Sequence, residues 1–557
     1  MERRTSLRNR LYGSPFARIP THRPCSFPRF SAGLNSFRAA ISRFDGELGP
    51  AWIHPRGASP LEPKSVVRLA SVCRLPHPCG VCAPSNRFEY DLAILGGGSA
   101  GYAAARTSVG KGLRTVLIEG GEEVGGLCIL RGCMPTKALL YAAEVLHLAR
   151  HPEPWGIRTE DVTFNFAQVM ARKDSLIRDF AEYRRQQLLK GGFKFVRACA
   201  SFTDPHTLEV GTGGAITAAH FLIATGSVVA PAPLPQLDEI GYLTSDTTLS
   251  VSRLPKSLIV LGAGPVAVEF AQFFARFGVR VTLVQRSPRV LHEFDADAAT
   301  ELEKVFRREG VTLYTGTRLI DARRVGDSKE IAFEHDSQIV RVRAEEVFFG
   351  LGRRPNIASL GLDRAGVRAG DGSVETNAFM QTSAPHIYAA GDCTGPHEIV
   401  HIAIQQAELA VRNLVHPDRP ERMDYRLLTE IVFTEPQIAL VGLTEKEARA
   451  RDIPFLAASY PFNDHGKSLI MEAKDGFVKL LADPHTGEII GGMCVGPSGG
   501  ELIHEIVAAM AKGMTARELA QLPHYHPTLA EIWTYPAEEL AEQIRRSWAD
   551  PAFDWRQ

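Results

Sequence analysis

The sequence predicts an α/β fold with two Rossmann-like dinucleotide-binding units and a C-terminal α+β segment. Three observations predict it. Two short apolar runs, at 90–95 and 258–261, each lead into a glycine-rich turn and then a helix-forming stretch. Each unit continues into a second apolar strand, at 114–118 and at 281–284. From about Tyr425 the texture changes to short strands and helices. Strands alternating with helices are the pattern of βαβ units and a parallel sheet.

At 557 residues the chain exceeds one ordinary core and suggests several domains. Hydrophobic content is 45% and charged content 23%, an ordinary globular balance. Net charge is zero, so no overall basic field argues for nucleic acid or a membrane surface. No apolar run reaches the roughly 18–20 residues of a membrane span. The nine cysteines form no secreted disulfide framework, and no metal site is expected. Only Cys79/Cys82 and Cys128/Cys133 are close pairs.

Residues 1–87 are rich in Arg, Pro and Ser, with fourteen Lys/Arg against four acidic residues. Such a segment cannot bury enough surface to fold alone. It reads as a disordered tail, a translation-start artefact or an Arg-rich, acid-poor targeting peptide. The expected location is the cytoplasm, or the mitochondrial matrix if the extension is a transit peptide. Cys79-Gly-Val-Cys82 has redox or zinc spacing but neither a second pair nor a βαβ context, and is read as chance.

In the first unit, Gly96-Gly97-Gly98-Ser99-Ala100-Gly101 follows the strand at once. Gly96 permits the tight turn, Gly98 lets a pyrophosphate approach the backbone, and Gly101 lets helix pack on strand. Ser99 opens the helix whose positive end faces the phosphates. Glu119 ends the next strand, about 20 residues on, where a carboxylate accepts hydrogen bonds from a ribose diol.

Next comes Gly125-Gly126-Leu127-Cys128-Ile129-Leu130-Arg131-Gly132-Cys133-Met134-Pro135-Thr136-Lys137. On a regular helix the two cysteines would point about 140° apart, too divergent for a disulfide. Gly132 and Pro135 are the expected points of departure from that path. Taken alone, the pair reads as two buried thiols. Following a nucleotide-binding unit, the segment resembles the signature of the class I flavoprotein disulfide reductases, the pyridine nucleotide–disulfide oxidoreductases. Leu127 departs from that signature's common Thr. The resemblance implies that Cys128 and Cys133 form the redox disulfide, Cys133 against the flavin and Cys128 exchanging with substrate. It assigns Gly126 to the flavin site.

The later motifs occur in that family's order, and the resemblance spans about 88–545. Ala224-Thr225-Gly226 resembles the strand end where the chain leaves the flavin domain, and assigns Thr225 and Gly226 to the cofactor site. Gly262-Ala263-Gly264-Pro265-Val266-Ala267 is the second phosphate turn, with Ala in the third small position. Two such units imply two dinucleotides, by resemblance FAD and NAD(P)(H). The second unit's strand ends in Gln285-Arg286, where an acid would select NAD and an Arg would accommodate a 2′-phosphate. The reading leans to NADP through Arg286; a solvated basic loop is the alternative.

Glu269, by resemblance, pairs with Lys137 beside the flavin; two ordinary surface charges are the alternative. Gly352, in the G-R-x-P-N link, and Asp392, on the flavin ribityl chain, complete the implied cofactor set. Cys393 is read as packing. The motif H-P-T-x-[SA]-E falls on His526 and Glu531 and implies a base that takes a proton from a dithiol, its ring held by Glu531. Thr528 and Glu531 also fit a capping box.

The implied domains are 88–238 (FAD, first segment), 239–355 (NAD(P)), 356–424 (central) and 425–557 (dimerisation). The implied enzyme is a homodimer, most like the lipoamide-oxidising members. Electrons pass between a dihydrolipoamide-type dithiol and NAD(P) through the cysteines and FAD. The partner is a small dithiol or the lipoyl domain of a 2-oxo acid dehydrogenase complex. A glutathione-type or mercuric-type reductase is the alternative activity. A non-catalytic FAD-binding scaffold is the alternative of another class.

Overall fold

The computed structural model describes residues 87–549. The expectations for the N-terminal extension and for Cys79/Cys82 lie outside the described residues.

The first apolar run forms β1 (Tyr90–Leu95), followed by α1 (Ser99–Gly110) and β2 (Thr115–Glu119). β2 pairs parallel with β1, and β3 (Lys194–Arg197) adds parallel to β2. On the other side of β1 lies the long strand Gly214–Ile223, whose second half runs parallel to β1. Its first half belongs to an antiparallel hairpin arm with Thr207–Val210 and Ala200–Asp204. The strand Ile387–Ala389 returns from far along the chain to pair parallel with residues 221–223. Leu92, Ala93 and Ile94 are fully buried because both faces of this sheet are covered.

A second parallel sheet runs in the order Thr312–Tyr314, Arg280–Val284, Ser257–Leu261, Glu346–Phe349. Its crossover helix is Pro265–Arg276. Three antiparallel strands between 318 and 344 form a separate sheet. Two short strands, Ser227–Val229 and Arg353–Pro355, pair antiparallel where the chain enters and leaves this region.

The C-terminal part is a five-stranded antiparallel sheet in the order 429–432, 437–442, 489–496, 477–482, 456–461. The helices Gly499–Ala511 and Thr534–Ala549 pack against it. Trp533 is fully buried there and donates its indole N–H to the Leu502 carbonyl at 3.1 Å. Such burial stabilises by roughly 1.5–3 kcal/mol per large apolar side chain. Among the described residues, no helix is long and apolar enough to cross a membrane.

Candidate active site

The site begins with α1. Its N-cap is Gly98, no side chain caps it, and no acid lies in its first turn. The first-turn amides are therefore left for an anion. A Cβ on Gly101 would lie 1.8 Å from the Gly96 carbonyl oxygen, so only glycine allows that turn to close on the helix. Gly126 has φ of 76°, and a Cβ there would meet the Gly98 Cα at 2.5 Å. Gly126 thus holds the redox segment against the phosphate turn. Glu119 accepts the Gly97 N–H at 2.8 Å and the Gly121 N–H at 2.7 Å, one on each oxygen.

Asp392 closes this site from the far segment. Its carboxylate accepts the Ser227 hydroxyl at 2.7 Å, and Arg353 donates to the same Ser227 oxygen at 2.9 Å. Gly352 precedes this arginine with φ of 109°. Gly226 (φ 67°) turns the chain, and its carbonyl accepts the Asn356 N–H. The Thr225 hydroxyl is buried without a partner. An unpaired buried hydroxyl, an uncapped helix and a tight turn that only glycines can close together fit a bound dinucleotide. Ser227 and Arg353 had no assigned role in the sequence. Ser227 meets Asp392 across 165 residues of chain, and Arg353 reaches Ser227 across 126.

The two cysteines lie on different helices. Cys128 is in α2 (Gly126–Leu130) and Cys133 begins α3 (Cys133–Arg150). The break falls at Arg131 and Gly132, as expected for Gly132. Pro135 does not contribute to it. Pro135 sits inside the first turn of α3, where a missing N–H costs nothing. The break turns the thiols toward each other, close enough to hydrogen-bond. Cys133, receiving that bond and facing the Lys137 charge, is held down at about 7 despite burial. The same contact, together with burial, pushes the Cys128 thiol well up.

Lys137 lies one turn along α3. Its Nζ meets the Glu269 carboxylate at 2.9 and 3.0 Å. Glu269 is 2% exposed and also accepts the Phe433 N–H at 2.9 Å, so the pair is no surface contact. Gln272, one turn on, exchanges two hydrogen bonds of 2.7 Å with the Glu435 backbone. Sequence reading missed Gln272; its i, i+3 spacing from Glu269 is the available signal. It also missed Arg184, which lies beside Cys128 with its guanidinium 4.1 Å over the Tyr102 ring. The Arg184 Nε is buried without a partner.

In the second unit, Gly262 (φ 94°) would place a Cβ 2.4 Å from the Gly350 carbonyl oxygen. Ala267 fills the third small position because Gly350 faces it; a Cβ on Gly350 would lie 2.8 Å from that of Ala267. Gly264 caps the helix without a side-chain bond. Gln285 is buried and folds back onto the Arg286 amide at 3.1 Å. Arg286 is exposed, and no carboxylate among the described residues pairs with it.

His526 and Glu531 meet at 2.9 Å through Nδ1 and Oε2. Glu531 also accepts the Thr528 N–H at 3.3 Å, and Thr528 accepts the Glu531 N–H at 3.4 Å. The capping-box and dyad readings are therefore both realised by one carboxylate. Cys393 is fully buried, its thiol pushed up to about 12 by burial, as a packing residue would be. Cys128, Cys133, Lys137 and Glu269 form one group. The His526–Glu531 pair makes no hydrogen bond or ion pair with that group within one chain, among the described residues.

The family model described as pyridine nucleotide-disulphide oxidoreductase matches residues 90–407, and its dimerisation domain matches 428–537. A dihydrolipoyl dehydrogenase of Bacillus subtilis is 33% identical over 457 residues, 80% of this chain and 96% of the relative. A mercuric reductase of Streptomyces lividans is 35% identical over 465 residues, 82% of this chain and 97% of the relative. The crystal structure of LpdA from Mycobacterium tuberculosis matches with a TM-score of 0.73 at 29% identity, covering 81% of this chain and 99% of that one.

Proposed function

The chain belongs to the pyridine nucleotide-disulphide oxidoreductase family, a family dependent on FAD and NAD(P). From that premise we propose that it oxidises a dihydrolipoamide-type dithiol with NAD(P)+, using Cys128 and Cys133 as the redox pair. The observation that carries the reading is the contact between these thiols across the α2–α3 break, beside the ion pair of half-buried Lys137 with buried Glu269. The match to the dimerisation domain supports a homodimer.

A substrate thiolate attacks the Cys128 sulfur, breaking the Cys128–Cys133 bond and releasing Cys133 as thiolate. The second substrate thiol attacks the mixed disulfide, which expels Cys128 and leaves the substrate as a disulfide. Because the His526–Glu531 pair stands apart from the cysteines within one chain, the homodimer would bring it to them as His526 of the partner subunit, which takes a substrate proton at its free ring nitrogen while Glu531 holds the other. Lys137 and the start of α3 favour the Cys133 thiolate. FAD, when bound, supplies the two-electron chemistry that links this thiolate to a nicotinamide. Gly96, Gly98, Ser99, Gly101, Glu119, Gly126, Thr225, Gly226 and Asp392 would hold it. Gly262, Gly264, Arg286 and Gly352 would serve the nicotinamide side, with Arg286 favouring NADP.

The carrier of the dithiol is a small molecule or a lipoyl domain of a 2-oxo acid dehydrogenase complex. The compartment is that of the carrier, cytoplasm or mitochondrial matrix. The likeness to a mercuric reductase makes mercuric ion the second substrate reading. Side-by-side turnover with dihydrolipoamide, glutathione disulfide and mercuric ion separates them. Dihydrolipoamide should be preferred, and a clear preference for either of the others would replace it.

A further inference from the structure

His465 is fully buried, and so is Ser468. The His465 Nδ1 lies 2.8 Å from the Ser468 hydroxyl. Its Nε2 faces Glu531 Oε1, the oxygen not used by His526, at 3.5 Å, a charge-contact distance at which no hydrogen bond is formed, and the buried Nε2 has no other partner among the described residues. The two imidazoles thus stand on opposite oxygens of one carboxylate. Nothing in the local sequence announces this, because 66 positions separate the residues.

We propose that His465 is a positioning residue for the His526–Glu531 pair, an inference that rests on the role given above to His526. Burial keeps the His465 ring neutral against the pull of Glu531. A neutral ring offers a donor to the carboxylate only when Nε2 carries the proton. Ser468 must then donate to Nδ1, and this selects the tautomer. The ring is walled by Phe462 and Tyr535, both edge-to-face at 6.4 and 6.3 Å. The titratable groups that face it are Glu531, His526 and Tyr535.

Two consequences follow for His526. An Nε2–H pointed at Oε1 adds to the Thr528 amide on that oxygen in favouring the Glu531 rotamer that aims Oε2 at the His526 ring. It also draws charge toward Oε1, which weakens the hold of the carboxylate on a protonated His526. Removing the donor leaves Glu531 with its charge undivided, favouring protonated His526. A base that must be neutral then needs a higher pH to work.

The test is the pH profile of kcat/KM for dithiol oxidation by the dimeric holoenzyme. His465→Leu should lower kcat/KM about tenfold and move the acid limb to higher pH. His465→Gln, which can still donate to Glu531, should recover most of both. Flavin content and dimer mass report that the variants fold. A folded His465→Leu enzyme with the wild-type limb and rate overturns the proposal, as does a Gln variant no better than the Leu variant. If the Leu variant loses flavin, Ser468→Ala carries the test, since it frees the tautomer; an unmoved acid limb there is equally fatal. Full dithiol turnover in His526→Gln is the separate failure of the underlying reading, and the proposal falls with it.

Discussion

Lys137 and Glu269 lie 132 residues apart, on helices α3 and Pro265–Arg276, and join at 2.9 Å with the carboxylate almost wholly buried. Glu269 also binds the Phe433 amide, so one side chain ties both nucleotide units to the start of the C-terminal sheet. Breaking the pair strands a buried charge. Lys137→Met should cost about 2 kcal/mol by chemical denaturation, less than a fully buried pair because Lys137 is a third exposed. Adding Glu269→Gln should recover part of that loss. A double variant weaker than the single one would show that the pair contributes net stability rather than mutual compensation.

Thiolate in the reduced enzyme should appear with a midpoint of about 7, assigned to Cys133. Its first cause is the bond from Cys128 and its second favourable one is Lys137. The lowered value means that thiolate is present above the midpoint and lost below it. Cys128→Ala and Lys137→Met should each move the midpoint upward, read by ultraviolet thiolate absorbance or alkylation rate. An unmoved midpoint in Cys128→Ala would remove the contact from the account.

Glu531 has two separable tasks. Gln can serve a capping box as Glu does, but it carries no charge for His526. Glu531→Gln should therefore lower kcat/KM about tenfold with little loss of stability. Glu531→Ala should in addition cost about 1 kcal/mol in unfolding. Equal stability loss in both variants would contradict the division.

Gly126→Ala should yield protein with much less flavin, because the new methyl runs into Gly98 in a left-handed backbone. Gly110→Ala, which has open space around it, is the control and should retain full flavin. The flavin-to-protein absorbance ratio reads both.

If Arg286 serves a 2′-phosphate as proposed, replacing Gln285 with Glu and Arg286 with Ala should shift the ratio of NADP to NAD use toward NAD by about tenfold or more. Steady-state kcat/KM with the two nucleotides decides it, and an unchanged ratio would assign Arg286 to the solvent.

What could be read from sequence was local. The strand–turn–helix units, Glu119 and the cysteine segment lie within single short windows, where glycine spacing and apolar runs report directly on backbone form. The break at Gly132 was legible, yet Pro135 was not its cause, because proline is at home in a first turn. Ser227, Gln272, Arg353 and His465 were invisible as site residues. Each meets its partner across dozens to more than a hundred positions, and no period or propensity encodes that. Leu127 stands on α2, and nothing in its surroundings explains its departure from the common Thr.

The most direct test of the central claim is reduction of NAD+ and NADP+ by dihydrolipoamide in the flavin-loaded dimer, wild type against Cys133→Ser. Sustained turnover with at least one nucleotide is expected in the wild type and none in the variant. Negligible wild-type turnover despite bound flavin, or a variant that keeps the wild-type rate, would contradict the claim.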